Sequence, residues 1–93
     1  MKTEIIKADG SRISVRPENG RDFQLDELQA IVGGYIQIIS LHDGRLIVIN
    51  EEGKLQALPY NNDATELAQE AEAIFDYDFI AGDALVCREE EVR

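Results

Sequence analysis

Two runs rich in β-branched residues lie next to each other in the middle of the chain, separated by only three residues. The first is YIQIISL at 35–41 and the second is RLIVIN at 45–50. Isoleucine, valine and tyrosine favour the pleated, half-buried surface of a β-sheet. A short glycine-containing loop between two such runs is typical of a β-hairpin. The sequence therefore predicts an antiparallel hairpin here.

Shorter strand signals lie on both sides of this hairpin. Residues 3–8 and 12–16 flank Asp9-Gly10, a dipeptide typical of hairpin turns because glycine readily adopts a positive φ. A short strand is predicted at 54–57, and a last one within 79–88, where the apolar stretch ALVC is expected to be buried.

Two segments have the apolar spacing of amphipathic helices. Residues 25–32 place Leu25, Leu28 and Val32 at positions i, i+3 and i+7, and the following Gly33-Gly34 is a good helix end because glycine adopts the left-handed conformation. In residues 62–75 the apolar stripe consists of Ala64, Leu67, Ala68, Ala71, Ile74 and Phe75.

The order of the predicted elements is ββαβββαβ. Hairpins combined with two helices are typical of an α+β fold with a mostly antiparallel sheet. We expect residues 1–93 to form a single domain, with a charged, frayed tail from about residue 89. One shared core is expected to bury Ile36, Ile38, Leu46, Val48, Leu67, Ile74 and Val86.

The chain is strongly acidic, with 19 acidic and nine basic residues and a net charge of −10. Most of the imbalance lies in residues 62–93, which hold ten acidic and two basic residues. A nucleic-acid backbone or an anionic membrane surface attracts clustered lysine and arginine. We therefore expect no direct binding to nucleic acid and no docking on a membrane.

The sequence also bears on the cellular compartment. A single cysteine allows no internal disulfide, which fits a reducing environment. The first residues lack the apolar run of about 7–15 residues that a secretory signal needs. No stretch approaches the roughly 18 apolar residues of a membrane span. These features predict a cytoplasmic protein and leave its oligomeric state open.

Four short motifs follow one another along the chain: VGGYI at 32–36, NEEGK at 50–54, LPYN at 58–61, and Gly82-Asp83 before an apolar strand. Together they resemble a small uncharacterised domain family found in phages, plasmids and other mobile elements. The resemblance extends over about residues 3–87. It implies a mobile-element context but no activity that can be transferred to this chain.

The sequence offers little for catalysis. The sole histidine, His42, falls in the hairpin loop beside Asp43, where a solvated turn residue is the simpler interpretation. Cys87 falls in an apolar strand, whereas a reactive thiol needs basic surroundings, and one histidine with one distant cysteine cannot form a zinc tetrad. Gly33-Gly34 precedes a strand, which is the wrong order for a phosphate-binding loop. We therefore expect no catalytic residue, no metal, no cofactor and no enzymatic activity.

The NEEGK turn and the LPYN segment together offer two amides, a carboxylate, an ammonium group and a phenol. If the turn folds back towards the VGGYI motif, it forms an interaction site that consists of Gly34, Tyr35, Asn50, Glu51, Lys54, Tyr60 and Asn61. Alternatively, Asn50 and Asn61 shape turns through hydrogen bonds from their side chains to the backbone, as asparagine often does.

A second candidate surface is acidic. Helical spacing, and the break that follows the second helix, predict one connected negative face formed by Asp63, Glu66, Glu70, Asp76 and Asp78. Such a face can imitate the phosphates of a nucleic acid in front of a basic partner. The alternative is a solubilising surface, which is the usual role of a charge run.

Two functions are compatible with these features. The first is a non-enzymatic accessory binding protein of a phage or mobile element, which acts on a host protein or a small ligand. The second is an acidic nucleic-acid mimic that inhibits a basic DNA-binding enzyme such as a restriction system.

Overall fold

The computed structural model of the chain describes residues 3–92 and contains a five-stranded sheet between two helices. Its elements, in chain order, are β1 (Glu4–Ile6), β2 (Arg12–Ser14), α1 (Leu25–Val32), β3 (Ile36–Ser40), β4 (Arg45–Asn50), α2 (Asn62–Glu70), β5 (Ala84–Arg88) and a short 3-10 helix (Glu89–Glu91). All neighbouring strands are antiparallel. The predicted α+β class is confirmed, with one strand fewer than expected.

The last strand joins the two hairpins into one sheet. The strand order is β2-β1-β5-β4-β3, so β5 lies in the centre between the N-terminal hairpin and the middle hairpin. Leu85 of β5 is the Cα partner of both Ile5 in β1 and Val48 in β4. Because β5 bonds to a strand on each side, neither hairpin has to rely on its own marginal stability.

The sheet is buried on both faces, so the expectation of one shared core is wrong. The α1-face cluster contains Phe23, Leu28, Val32, Val48, Leu85 and Cys87. The α2-face cluster is built around Ile6, Ile47, Ile49, Ala64, Ala68 and Val86. The central strands alternate between the two clusters because successive side chains point to opposite faces of a strand.

Burial follows the sequence in the central strands and departs from it at the edges. Val48 and Val86 are buried as expected, whereas Ile38 is 45% exposed and Leu25 is 58% exposed. Ile36 packs against the α1-face cluster, but Ile38, two residues further along the same face of the edge strand, lies beyond it. The shared strand parity of Ile36 and Ile38 was therefore predicted correctly, whereas the burial of Ile38 was not.

The predicted strand at 54–57 is instead a series of turns. The Gln56 amide donates to the Glu52 carbonyl at 2.9 Å, and the Leu58 amide donates to the Gly53 carbonyl at 2.9 Å. Gly53 passes so close to the backbone of Ala81 that a Cβ atom would lie 2.7 Å from the Ala81 carbonyl oxygen. This close approach requires glycine and turns the chain away from the sheet direction.

Helix α2 ends at Glu70, five residues earlier than predicted. The Glu72 amide donates to the Gln69 carbonyl and the Ala73 amide donates to the Ala68 carbonyl, both at 2.9 Å. This pair of bonds is the Schellman arrangement, and Glu72 takes its left-handed position with φ of 55°. The chain then leaves the helical path, so Phe75 is 69% exposed rather than part of the apolar stripe.

The expected frayed tail is packed against the domain as far as residue 92. The Glu91 side chain is buried and accepts hydrogen bonds from the Thr3 hydroxyl at 2.6 Å and the Arg88 amide at 3.0 Å. Burial by itself raises the pKa of Glu91, but these hydrogen bonds and the Arg88 guanidinium outweigh it and lower the pKa overall. Arg93, the end of the predicted tail, lies outside the described residues.

Truncation of Val48 tests the α1-face cluster. Val48 is fully buried, so Val48→Ala should lower the free energy of unfolding by about 1–3 kcal/mol through loss of buried methyl groups. Urea denaturation followed by circular dichroism measures this change. The matched control is Ile13→Val at a 46% exposed position, where we expect a change within about 0.5 kcal/mol. Equal effects of the two substitutions would contradict the assignment of Val48 to the core.

Candidate functional site

A groove of about 400 Å³ lies on the α2 face of the sheet, between strands β3 and β4 and the segment 72–81. Its floor is formed by Gln37, Ile39 and Ile49, and its far wall includes Glu72, Phe75 and Phe79. We call it the aromatic groove. Its volume is within the range of ligand pockets in proteins, although it opens to solvent along one side of the molecule.

Two aromatic residues that line this groove, Phe75 and Phe79, each stack on a further exposed aromatic residue. Phe75 stacks on Tyr77 with ring centroids 5.3 Å apart, and Phe79 stacks on Tyr60 at 5.5 Å. Their exposed fractions are 69% for Phe75, 82% for Tyr77, 36% for Phe79 and 52% for Tyr60. We call these four residues the aromatic rim. They are four of the chain's six aromatic residues, and such clustering of exposed apolar groups marks interaction surfaces.

Hydrogen bonds from α2 hold the loop at 75–79, which carries Phe75, Tyr77 and Phe79 and which we call the aromatic loop. The Gln69 side-chain amide donates to the carbonyls of Asp76 and Asp78, at 2.9 and 3.1 Å. The Asp78 amide donates to the Phe75 carbonyl at 2.9 Å, which closes a turn. Because α2 anchors the loop at two carbonyls, the aromatic rings are displayed from a defined backbone rather than from a free one.

Lys54 ties the NEEGK turn to this loop. Its ammonium forms an ion pair with the Asp78 carboxylate and lies 4.8 Å from the centroid of the Phe79 ring, a distance at which cation and ring attract each other. Hydrogen bonds lower the pKa of Asp78, and the bond from the Lys54 ammonium has a larger effect than the one from the Phe79 amide. Glu51 and Glu72, which also line the groove, have no ion pair among residues 3–92. The groove therefore has a net negative charge.

The structure brings together only part of the predicted interaction site. Glu51 and Lys54 line the aromatic groove, and Tyr60 joins its rim. Tyr35 and Gly34 line a separate depression of about 280 Å³. A Cβ atom on Gly34 would lie 3.0 Å from the Asn50 side-chain nitrogen, so Gly34 makes room for that amide.

Both asparagines of the predicted site shape the backbone. Asn50 is buried, donates to the Val32 carbonyl at 3.2 Å and accepts from the Glu52 amide at 2.8 Å. Asn61 is fully buried and donates to the carbonyls of Ile6 and Gly82, each at 2.8 Å. Its side-chain oxygen accepts from the Ala64 amide and so caps α2. These bonds match the turn-shaping alternative, and Asn50 also contributes to the lining of the groove.

The predicted acidic face is interrupted by ion pairs. Asp63 lies 3.7 Å from the Arg12 guanidinium of β2, and Asp78 pairs with Lys54. Glu66, Glu70 and Asp76 are exposed and have no ion pair among residues 3–92. Three unpaired carboxylates therefore remain on the outer side of α2 and the loop that follows it.

The two residues considered for catalysis occupy the expected surroundings. His42 is an exposed turn residue with φ of 65°. Cys87 is fully buried, and burial followed by repulsion from Glu91 raises the pKa of its thiol to about 12. Within residues 3–92, no group of three or more histidine, cysteine, aspartate or glutamate side chains is arranged to hold a metal ion.

Sequence reasoning identified Tyr60 and missed the other three residues of the aromatic rim, Phe75, Tyr77 and Phe79. It placed Phe75 on the buried stripe of α2, treated Asp76-Tyr77-Asp78 as a helix break whose two aspartates belong to the acidic face, and gave Tyr77 no role. The available signal was the pattern FDYDF at 75–79, in which three aromatic residues alternate with aspartates. Aspartate favours turns over helix interiors, so this alternation indicates aromatic residues on a loop.

These features describe a small α+β domain with an aromatic groove, and a family model matches nearly all of it. The model is described as a domain of unknown function, DUF3846, and it matches residues 1–92, so the chain belongs to this family. The comparison with curated proteins gave no match, and neither did the comparison with solved structures. No helix within residues 3–92 has the length and hydropathy required to cross a membrane.

Removal of the Asn61 side chain tests its role in the backbone. Asn61→Ala withdraws two hydrogen bonds from backbone carbonyls and removes the cap of α2, so the free energy of unfolding should fall by about 2–4 kcal/mol. Asn62→Ala, at the exposed neighbouring position, should change it by less than about 0.5 kcal/mol. Thermal and urea denaturation of both variants measure the difference. A stable Asn61→Ala protein would return Asn61 to the list of candidate interaction residues.

The reactivity of Cys87 tests its burial. Because a thiol pKa of about 12 leaves almost no thiolate at pH 8, a disulfide reagent should label native protein far more slowly than urea-unfolded protein.

The raised pKa also means that the neutral thiol stabilises the fold below about pH 9, and that this contribution disappears as the pH rises towards 12. Stability of Cys87→Ala should fall less over this interval than that of the parent chain. In the labelling experiment, rapid reaction of the native protein at pH 8 would contradict the burial of Cys87.

Proposed function

We propose that this chain is a non-enzymatic accessory binding protein of a phage or another mobile element, and that it acts on a host protein through the aromatic groove. The mobile-element context rests on the resemblance of the four sequence motifs alone. The mode of action comes from the surface of the domain. The proposal assigns no chemistry to the chain and locates its function in one contact surface.

The aromatic rim is the observation that carries this proposal. The few residues that dominate the binding energy of protein interfaces are enriched in tyrosine, tryptophan and arginine, and aromatic residues are enriched in interface cores. Keeping two stacked aromatic pairs exposed beside a groove favours neither solubility nor folding. A partner that covers the rim would remove this apolar area from water.

A protein partner suits the groove better than a small polar ligand does. Among residues 3–92, every buried side-chain nitrogen and oxygen already has a hydrogen-bond partner. Small-ligand sites use a few convergent polar groups to orient the ligand, and here the amides of Asn50 and Asn61 are engaged by the backbone. Besides the exposed Gln37 on the floor and Lys54, which is paired with Asp78, the accessible lining is apolar and negatively charged, which suits a protein segment.

The nucleic-acid mimic is the second candidate and has weaker support. Glu66, Glu70 and Asp76 are exposed without ion pairs among the described residues, as a mimic requires. However, Arg12 and Lys54 neutralise Asp63 and Asp78, at two of the five positions expected to form the face. Mimicry also gives no role to the aromatic rim.

Affinity capture from host-cell lysate tests the choice between the two surfaces. The double variant Phe75→Ala/Tyr77→Ala removes two exposed rings, and we expect it to reduce retention of the captured partner by about tenfold or more. Leu25→Ala is the matched control, because it removes a 58% exposed apolar side chain from α1, on the opposite face of the sheet. It should leave capture unchanged. Circular dichroism confirms that each variant is folded.

The acidic surface is tested in the same experiment. Under mimicry, Glu66→Gln/Glu70→Gln reduces capture at low salt, the effect decreases as salt rises, and the Phe75→Ala/Tyr77→Ala variant is unaffected. That pattern would assign partner binding to the acidic face instead of the aromatic groove. If neither pair of substitutions changes the captured partner, both assignments are wrong.

A further inference from the structure

The two edges of the sheet differ in how they are protected. Strand β2, at one edge, has three residues and carries Arg12, whose guanidinium pairs with Glu4 at 2.8 Å and with Asp63 at 3.7 Å. Strand β3, at the other edge, has five residues with the sequence IQIIS and no charged side chain. Natural proteins protect edge strands by shortness, charge, proline or a covering element. Strand β2 is protected by its shortness and by its charge, whereas β3 has neither of these features and no proline.

The backbone of β3 presents an unused row of hydrogen-bonding groups. The Tyr35 carbonyl accepts from the Glu51 amide at 2.8 Å, and the Leu41 amide donates to the Arg45 carbonyl at 2.9 Å. In an antiparallel pair, alternate residues point their backbone groups towards the same neighbour. The odd-numbered residues therefore bond to β4, and Ile36, Ile38 and Ser40 direct their amides and carbonyls outward. No backbone partner within residues 3–92 meets these outward groups.

The open edge and the aromatic groove are parts of one surface. Gln37 and Ile39 of β3 line the floor of the groove, so a strand added beside β3 would project alternate side chains along the groove. Its other side chains would lie over Ile38, which is 45% exposed on the opposite face. Backbone bonding gives such a strand affinity, and the alternate side chains give it specificity.

We propose that β3 is a docking edge for an extended basic segment of a partner protein, which adds to the sheet as a sixth strand. Alternate residues of the segment are arginine or lysine and face the aromatic groove, and the residues between them are apolar and cover Ile38. This inference rests on the proposed binding function and specifies the chemistry of the partner.

Charge complementarity selects the basic segment. Glu51 and Glu72 line the groove without ion pairs in the described part of the chain, and the whole protein carries a net charge of −10. An arginine side chain spans the inter-strand spacing of about 4.8 Å and stacks on aromatic rings while pairing with carboxylates. A second copy of this chain would bring another net charge of −10 to the same edge, so the observations favour a basic partner over self-association.

A peptide probe tests the edge directly. The probe is an end-capped peptide of alternating arginine and valine, about eight residues long as in an ordinary strand, and its binding is measured by fluorescence anisotropy and by amide chemical shifts. We expect shifts concentrated at Ile36, Ile38 and Ser40. The same peptide with glutamate in place of arginine should show no binding, and N-methylation of the backbone amides that face β3 should weaken binding on the order of tenfold.

One substitution removes the outward donor without disturbing the inner ladder. Ile38→Pro deletes an amide that points away from β4, a position where edge strands tolerate proline. We expect it to weaken peptide binding on the order of tenfold, whereas Ile38→Val, which keeps the amide, should leave binding unchanged. Glu51→Gln/Glu72→Gln should weaken binding at low salt, with the loss decreasing as salt rises. The N-methylated peptide needs no variant and decides the matter if Ile38→Pro does not fold.

Three results would overturn the proposal. The first is equal binding of the methylated and unmethylated peptides. The second is equal binding of the arginine and glutamate peptides. The third is a dimer in sedimentation equilibrium that Ile38→Pro converts to a monomer, because β3 would then be occupied by a second copy. Like the first result, unchanged amide chemical shifts at Ile36, Ile38 and Ser40 in the presence of the peptide would show that it does not bond to the β3 edge.

The outcome also separates this inference from the proposed function. If capture of a host protein depends on Phe75 and Tyr77 but not on the backbone amide of Ile38, the aromatic groove is a binding site and strand addition is wrong. If capture depends on neither, the proposed function fails as well.

Discussion

The buried amide of Asn61 connects parts of the chain that are far apart in sequence. It bonds to a carbonyl of β1, to the carbonyl of Gly82 just before the central strand β5, and to the first turn of α2. A buried amide is stabilising only when its donors and acceptor are all satisfied, and each partner here comes from a different element. One side chain therefore fixes where α2 starts relative to the sheet. Since α2 in turn anchors the aromatic loop through Gln69, the groove depends on this interaction.

The groove also depends on one residue, Glu72, whose backbone conformation is strained. Glu72 has a left-handed backbone, which costs a non-glycine residue about 1–2 kcal/mol. The turn that it makes ends α2 early and turns the following aromatic residues outward. Lys54 then holds the loop from the other side through Asp78 and the Phe79 ring. Lys54, which the sequence predicted as an interaction residue, thus holds the aromatic loop in place and also lines the groove.

Much of the fold could be predicted because its signals are local. Helix α1 and strand β4 have the predicted bounds, since apolar spacing and glycine ends act within a few residues. The buried thiol environment of Cys87 followed from the apolar strand around it. The failures lie where distant contacts decide. The segment 54–57 is turned away from the sheet by the backbone of Ala81, and Ile38 is exposed because α1 does not reach along the edge strand.

The sequence by itself determined the α+β class, the two hairpins and the charge of the chain. Its motifs proved to be largely structural, with Gly34, Gly53 and Gly82 each packed where a Cβ atom would crowd a neighbour. Only the tertiary structure decided that β5 lies between the hairpins, that the sheet has a core on each face, and that the aromatic loop meets the open edge of β3 at one groove. The physical reason is that strand order and loop position depend on long-range contacts such as those of Asn61 and Lys54, which no local spacing reveals.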